Sequence, residues 1–173
     1  MRGRIAGLTT LTILLVSSAS AQMNNKMGDL ADQLRTQLTG EPVTVQQQGA
    51  ITLTSAADAM FASGGWELNP SIPVLGKIIP TLAKLQRTEI VVGGYTDNTP
   101  VGPQLQRMGI ANNLDLSSKR ATSVVDYLAS HGVNPSLLSA EGMGDSNPVV
   151  SNDTPQGRAR NRRVDIILTG DGT

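Results

Sequence analysis

The sequence predicts an α+β fold, a two-layer β/α/β/α/β sandwich whose helices lie on one face of a mixed sheet. Short apolar runs alternate with helical stretches in the order strand, helix, strand, helix, strand, strand. Hydrophobic residues make up 39% of the 173 positions, which is enough for the core of one ordinary domain. Aromatic residues make up only 2%, so the core must consist mainly of aliphatic side chains and methionine.

The N-terminal segment, residues 1–21, has the form of a signal peptide. Arg2 and Arg4 precede an apolar stretch at residues 5–16, and an A-x-A cleavage pattern follows at residues 19–21. The apolar stretch is shorter than the roughly 20 residues that a membrane-spanning helix needs. We therefore predict cleavage after Ala21, with an uncleaved membrane anchor as the alternative.

Charge and cysteine content exclude several classes of function. Without Arg2 and Arg4 the chain has 12 basic and 14 acidic residues, a net charge of −2. Such a balance, with so few aromatic residues, gives no support for nucleic-acid binding. The sequence contains no cysteine, which excludes disulfides, cysteine-bound zinc and an N-terminal lipidated cysteine.

Residues 22–41 are predicted to form a helical linker ahead of a folded domain at residues 42–169 and a tail at residues 170–173. Met27, Leu30, Leu34 and Leu38 have the spacing of a short amphipathic helix within residues 22–40. That apolar stripe is expected to pack on the domain. The alternative is a coiled-coil seam, which normally requires several heptads.

A β-hairpin is predicted at residues 42–53, where apolar residues partly alternate on either side of a polar turn at residues 46–49. Met60, Phe61 and Trp66 follow in a glycine-containing loop. Because large apolar residues usually pack inside a protein, these three are expected to close one end of the core.

The next predicted elements are a helix and a buried strand. Ser71 can cap the helix, Pro73 fits its first turn, and Pro80 is expected to kink or split it. The strand follows at residues 88–94. A second helix is predicted at residues 117–131 and is ended by Gly132.

The last two predicted strands lie at residues 139–144 and 161–168. In the second of these, Val164, Ile166 and Leu168 share one face. No internal repeat or low-complexity tract interrupts the order.

Two charged residues define a candidate binding site. Asp97 follows the apolar run at residues 90–92, and open α/β sheets bind ligands beyond the carboxyl ends of their strands. Arg120 lies near the start of the second predicted helix, where free backbone amides attract anions. One acid and one arginine suit a zwitterion, whereas the alternative is an arginine at the surface that pairs with Asp115 or Asp97.

Catalytic signals are weak. His131 is the only histidine and no partner for acid–base catalysis is evident, and the sequence has neither a G-x-S-x-G nor an S-x-x-K motif. The basic run at residues 158–163 is expected to be a solvated face. On a strand, Arg162 and Arg163 would point to opposite faces, so at most one of them can face Asp97.

Four stretches in this order resemble the OmpA C-terminal-like (OmpA/MotB) peptidoglycan-binding domain. They are MFASGGWELNP, VVGGYTDNTPV, NNLDLSSKRATSVVDYL and LSAEGMGDSNPVVSNDTPQGRARNRRVDIIL, and the resemblance covers about residues 43–168. It implies a module that holds the peptide stem of peptidoglycan, typically its meso-diaminopimelate, without cleaving it. No cofactor or metal is implied.

The resemblance also implies site residues. The acid of the family falls on Asp97 and the arginine of its motif on Arg120, and Gly93 and Gly94 are expected to let the stem peptide approach. Secondary positions fall on Asn113, Thr96 and the backbone at Leu116. The closing Asn-Arg-Arg falls on residues 161–163, where Arg163 is the favoured neighbour of the site.

The implied setting is the periplasm of a Gram-negative cell, with association to the outer membrane or the cell wall left open. A second hypothesis is a membrane-anchored component of a stator, secretion or other envelope complex, and a homodimer is also left open. A wall hydrolase is disfavoured because no nucleophile–base pair or metal set is evident.

Some features depart from the family. The long loop at residues 98–112 resembles the stator branch, yet no acid precedes Asp29, which argues against a proton-carrying motor role. Tyr95 replaces a more usual histidine.

Overall fold

The computed structural model describes residues 9–62, 64–70 and 72–173. The helices are α1 (Thr9–Gln37), α2 (Ala57–Met60), α3 (Pro73–Leu82), α4 (Pro103–Arg107), α5 (Asn113–Ser130) and α6 (Pro155–Asn161). The strands are β1 (Val43–Gln48), β2 (Ala50–Ala56), β3 (Glu89–Gly94), β4 (Leu138–Gly142) and β5 (Arg163–Thr169).

The five strands form one mixed sheet in the order β1-β2-β5-β3-β4. β3 and β4 are parallel, and the other neighbours are antiparallel. One face of the sheet packs under α1, α3 and α5 in a single aliphatic core. The predicted α+β sandwich with helices on one face of a mixed sheet is therefore confirmed.

Helix α1 is longer than predicted and belongs to the core. It begins at Thr9, passes through Ala21 without interruption and ends at Gln37. Met27, Leu30 and Leu34 are buried against the sheet and α3, which confirms that the stripe packs on the domain. The charged start of the predicted signal peptide lies outside the described residues, and cleavage remains a prediction.

The hairpin is confirmed, but its turn is tighter than expected. The three glutamines predicted in the turn belong to β1, and the chain reverses at Gly49, whose φ is 78°. The predicted end plug is confirmed for Met60 and Phe61, which are buried in the core. Trp66 instead packs, half-buried, against a separate small cluster of Val101, Ile110 and Leu116.

Helix α3 contains Pro80 within its last turn. The helix starts with Pro73 and ends at Leu82, so Pro80 does not split it. Ser71, the predicted cap, lies outside the described residues. Ile72, the residue before Pro73, occupies the N-cap position without a side-chain hydrogen bond to the helix.

Three short helices near the site, α2, α4 and α6, were not predicted. Helix α4 lies in the long loop at residues 98–112, and α6 occupies the basic run that was expected to be a solvated face followed by a strand. Helix α6 has the usual start signals, since Thr154 caps the amide of Gly157 and Pro155 is its first residue. Within residues 9–62, 64–70 and 72–173, no helix combines the length and apolarity needed to cross a membrane.

Candidate functional site

A cleft of about 330 Å³ lies between the carboxyl end of β3, the start of α5 and the end of α6. Five of the six predicted ligand-binding residues line it, namely Thr96, Asp97, Asn113, Leu116 and Arg120. The cleft therefore lies beyond the carboxyl end of the strand that precedes Asp97, as expected for ligand sites of open sheets.

Arg120 is the most deeply buried charge of the cleft, with 3% of its surface exposed. Its Nε donates to the carbonyl oxygen of Gly65 at 2.8 Å, and its guanidinium lies 5.4 Å from the ring centroid of Phe61. Burial lowers the pKa of Arg120, and the positive charge of Arg162 acts in the same direction. Arg120 is therefore not the surface residue of the alternative hypothesis, because it pairs with neither Asp115 nor Asp97.

Two polar atoms of the cleft have no hydrogen-bond partner. They are Nη1 of Arg120 and Oγ1 of Thr96, and the described residues contain one further atom of this kind, Oγ of Ser55. Because leaving a buried donor unsatisfied costs about 1–3 kcal/mol, most native structures avoid it. Two such atoms in one cleft indicate a place for an acceptor such as a carboxylate.

Asp97 is almost fully buried and uses both carboxylate oxygens. Oδ1 accepts the backbone N–H of Thr99 at 2.8 Å, and Oδ2 accepts Nη1 of Arg162 at 2.7 Å. Burial alone would raise the pKa of Asp97, but the hydrogen bonds from Arg162 and Thr99 together outweigh it and lower the pKa. The carboxylate is therefore ionised at neutral pH.

Arg162 bridges two acids, Asp97 and Asp58. Besides Asp97, it contacts Asp58 of α2 through Nε at 3.2 Å and Nη2 at 2.7 Å. The hydrogen bonds with Asp58 and then Asp97 raise the pKa of Arg162. Arg162 thus fixes the position of the Asp97 carboxylate and links α2 to the end of β3.

The prediction that Arg163 is the site neighbour is wrong. Val164 of β5 points into the core, so Arg163 and Asp165 point to the opposite face of the sheet. There Arg163 contacts Asp165 at 3.1 Å and stacks on the ring of Tyr95 at 3.6 Å. Arg162 precedes β5 as the C-cap of α6, and it is this residue that faces Asp97.

Helix α5 starts earlier than predicted, which changes the role of its first turn. Because it begins at Asn113, Arg120 lies well beyond the first turn, and the prediction that places it there is wrong. The amide of Leu116 already donates to the carbonyl of Asn112 at 3.1 Å, so Leu116 contributes an apolar wall. Asn113 donates through Nδ2 to the carbonyl oxygen of Asp97 at 3.1 Å and so orients that loop.

The glycines before Asp97 serve packing within the protein. A Cβ on Gly94 would lie 2.2 Å from the carbonyl oxygen of Ser117, so Gly94 lets α5 approach β3. A Cβ on Gly93 would meet the ring of Tyr95 at 3.0 Å. The expectation that these residues make room for a ligand is therefore wrong.

The described residues offer no cluster of metal-binding side chains. They hold no group of three or more His, Cys, Asp or Glu side chains that could bind a metal ion. His131 lies at the C-cap of α5, stacks on Tyr127 at 4.1 Å between ring centroids and is remote from the cleft in the fold.

Comparison with known proteins establishes the family. The sequence profile described as the OmpA family matches residues 60–162, which include every residue that lines the cleft. The chain belongs to the OmpA family. Its five-stranded mixed sheet with helices on one face is the architecture of solved relatives of this family.

Relatives of this OmpA-family chain are larger proteins. The peptidoglycan-binding protein ArfA of Mycobacterium tuberculosis is 37% identical over 122 residues, 70% of this chain and 35% of that protein. Outer membrane protein A of Bordetella avium is 52% identical over 115 residues, 66% of this chain and 55% of that protein. The chain thus spans about a third to a half of these relatives.

A solved structure extends the comparison to an envelope assembly. The cell wall anchor of the T6SS from Pseudomonas aeruginosa superposes with a TM-score of 0.72 at 31% identity. The match covers 82% of this chain and 96% of that chain. The OmpA-family likeness therefore extends over most of the fold.

Three residues that line or support the cleft were missed by sequence reasoning, namely Asp58, Arg158 and Arg162 as the partner of Asp97. A signal for two of them was present. Arg158 and Arg162 are four residues apart after a Thr-Pro helix start, and this spacing places both on one helix face.

Proposed function

We propose that this chain is a non-catalytic module that binds peptidoglycan noncovalently through the meso-diaminopimelate of the stem peptide, in the periplasm of a Gram-negative envelope. The observation that carries the proposal is the buried Arg120, whose Nη1 lies without a partner in a cleft that also contains Asp97. The name of the ArfA relative, a peptidoglycan-binding protein, supports the same ligand.

The chemistry of the cleft fits the free end of diaminopimelate, which carries a carboxylate and an ammonium on one carbon. Nη1 of Arg120 and Oγ1 of Thr96 would both donate to the carboxylate and so gain the hydrogen bonds they lack. The ionised Asp97 would accept from the ammonium while Arg162 keeps its carboxylate in place. These contacts hold a ligand and supply no nucleophile, consistent with binding without cleavage.

The test is co-sedimentation of the protein with purified diaminopimelate-type sacculi. Arg120→Ala and Asp97→Asn are compared with Lys119→Ala and Asp126→Asn, which remove matching charges from exposed positions of α5. We expect wild type and both controls to sediment with the sacculi and both cleft variants to remain in the supernatant. Circular dichroism checks that each variant is folded.

The results can contradict the proposal in two ways. Normal sedimentation of both cleft variants would show that the cleft is not the binding site. Release of soluble muropeptides by the wild-type protein would show that the chain is a hydrolase.

A second proposal is that the same domain serves as the wall-binding part of an envelope complex. Its support is the likeness to a cell wall anchor of a secretion system and the continuous helix α1 from Thr9 to Gln37. An intact N-terminus in membrane fractions of the native cell would support it, whereas a soluble product beginning at Gln22 would contradict it. Analytical ultracentrifugation of the same product tests whether it forms a homodimer.

A further inference from the structure

The cleft contains three guanidinium groups, and only one of them is neutralised by acids of the protein. Arg120, Arg158 and Arg162 all line it. Every donor nitrogen of Arg162 contacts Asp58 or Asp97. The ion pairs found among the described residues include neither Arg120 nor Arg158.

Arg158 is held in place by the protein through one of its donor nitrogens, Nη1. Its Nη1 donates to the carbonyl oxygen of Asn152 at 2.8 Å, which fixes the side chain over the loop before α6. The residue is half-buried and lies one helical turn before Arg162, on the same face of α6. Arg160, between them, is exposed and lines a separate groove with Arg163 on the opposite side of the sheet.

A ligand with one carboxylate and one ammonium would leave one of the three guanidinium groups without a counter-charge. The carboxylate would neutralise Arg120, and the ammonium would share Asp97 with Arg162. Arg158 would then remain a cation without a counter-charge at the wall of an occupied, less hydrated cleft, where an unpaired charge is unfavourable.

We propose that Arg158 forms a second anion subsite, which takes a second free carboxylate of the peptidoglycan stem peptide. This inference rests on the proposed binding of diaminopimelate at Arg120 and Asp97. The stem offers this chemistry at two places, the α-carboxylate of its γ-linked glutamate and the C-terminal carboxylate of the peptide. The cleft therefore distinguishes stems with free carboxylates from stems in which these groups are amidated.

The test uses isothermal titration of the full chain with synthetic Ala-γ-Glu-diaminopimelate peptides. One peptide has both carboxylates free, one has the glutamate carboxylate amidated, and one has the C-terminal carboxylate amidated. We expect amidation at one of the two places to weaken binding to wild type by roughly two- to fivefold, the range for a partly exposed charge pair. The position that responds identifies the source of the carboxylate.

Variants of α6 assign the effect to Arg158. Arg158→Gln is expected to bind all three peptides as weakly as wild type binds the sensitive amidated peptide, because the counter-charge is gone. Arg158→Lys keeps the charge and should retain part of the preference. Arg160→Gln is the matched control and should behave as wild type, and thermal unfolding of each variant checks that loss of the Asn152 bond has not unfolded it.

Two outcomes would overturn the inference while leaving the proposed function intact. In one, wild type binds all three peptides equally well. In the other, Arg158→Gln weakens all three by the same factor, which would show a structural role. If no peptide binds wild type at all, the proposed function itself fails.

Discussion

Replacing Arg120 with methionine separates the binding role of this residue from its packing role. The methionine side chain matches arginine only as far as Nε and has no charge, so it can pack beside Phe61 without a buried guanidinium. The change removes Nη1, the unpartnered donor, and also the Nε bond to the carbonyl of Gly65. We expect binding to be lost and folding to be kept.

The size of each effect follows from the contacts. Removing the unsatisfied donor stabilises the fold by about 1–3 kcal/mol, and losing the Gly65 bond and the Phe61 contact costs a similar amount. The free energy of unfolding of Arg120→Met should therefore stay within about 1–2 kcal/mol of wild type. Loss of a buried hydrogen-bonded partner of the ligand carboxylate should cost about 2–5 kcal/mol of binding, at least a roughly 30-fold rise in Kd.

Thermal unfolding with and without stem peptide measures both quantities. At a ligand concentration of about 100 times the Kd, binding stabilises wild type by about 2.7 kcal/mol, which raises the Tm by roughly 5–11 °C. Arg120→Met should unfold near the wild-type temperature without ligand and show little shift with it. The assigned role of Arg120 is wrong if the variant shifts as wild type does, or if it loses more than about 3 kcal/mol of stability without ligand.

Three further predictions concern the stability of the fold and of the cleft. Gly94→Ala should cost about 1–3 kcal/mol in urea unfolding and weaken sacculus binding, because its Cβ would lie 2.2 Å from a backbone oxygen of α5. The control Gly76→Ala should be neutral or stabilising, because Gly76 is exposed and its Cβ would have nothing within 4 Å. Equal effects of the two changes would contradict the role of Gly94 in packing. The ionised Asp97 stabilises wild type above about pH 4, and this stability is lost as the pH falls through the lowered pKa of Asp97. Asp97→Asn lacks this contribution, so the unfolding curves of the two proteins should converge in acid. A constant difference in stability down to low pH would contradict this. Leu34→Ala should lower the free energy of unfolding by about 2–5 kcal/mol because the Leu34 side chain is fully buried. Met23→Ala, at an exposed position of the same helix, should have little effect. A small loss of stability for Leu34→Ala would mean that α1 is not part of the core.

Sequence patterns predicted the parts of this fold that depend on repeated burial. The helical spacing of apolar residues around Leu34 and their alternation around Val164 each mark one buried face. The spacing of apolar residues along the chain is sufficient to identify such a face. The position of Asp97 followed from the general rule that ligands bind beyond the carboxyl ends of strands. Arg120 was selected from its place near a predicted helix start and again from the resemblance to a family, and the structure places it in the same cleft.

The errors arose where short segments decide which way a side chain points. Helix α6 has 7 residues, too few for a clear helical period, and the boundary between it and β5 determines whether Arg162 or Arg163 faces Asp97. Gly94 was misinterpreted because a sequence cannot show whether a glycine admits a ligand or another helix. Its neighbour Ser117 is distant in sequence and close only in the folded chain.

Trp66 gives the protein an optical property of its own. It is the single tryptophan of the chain and lines, half-buried, a second cleft that shares Gly64, Gly102 and Leu105 with the Arg120 cleft. Emission excited selectively at tryptophan therefore comes from one position beside the binding cleft and is not averaged over distant sites. A change in its intensity on adding wall fragments would report occupancy in real time, in unlabelled protein.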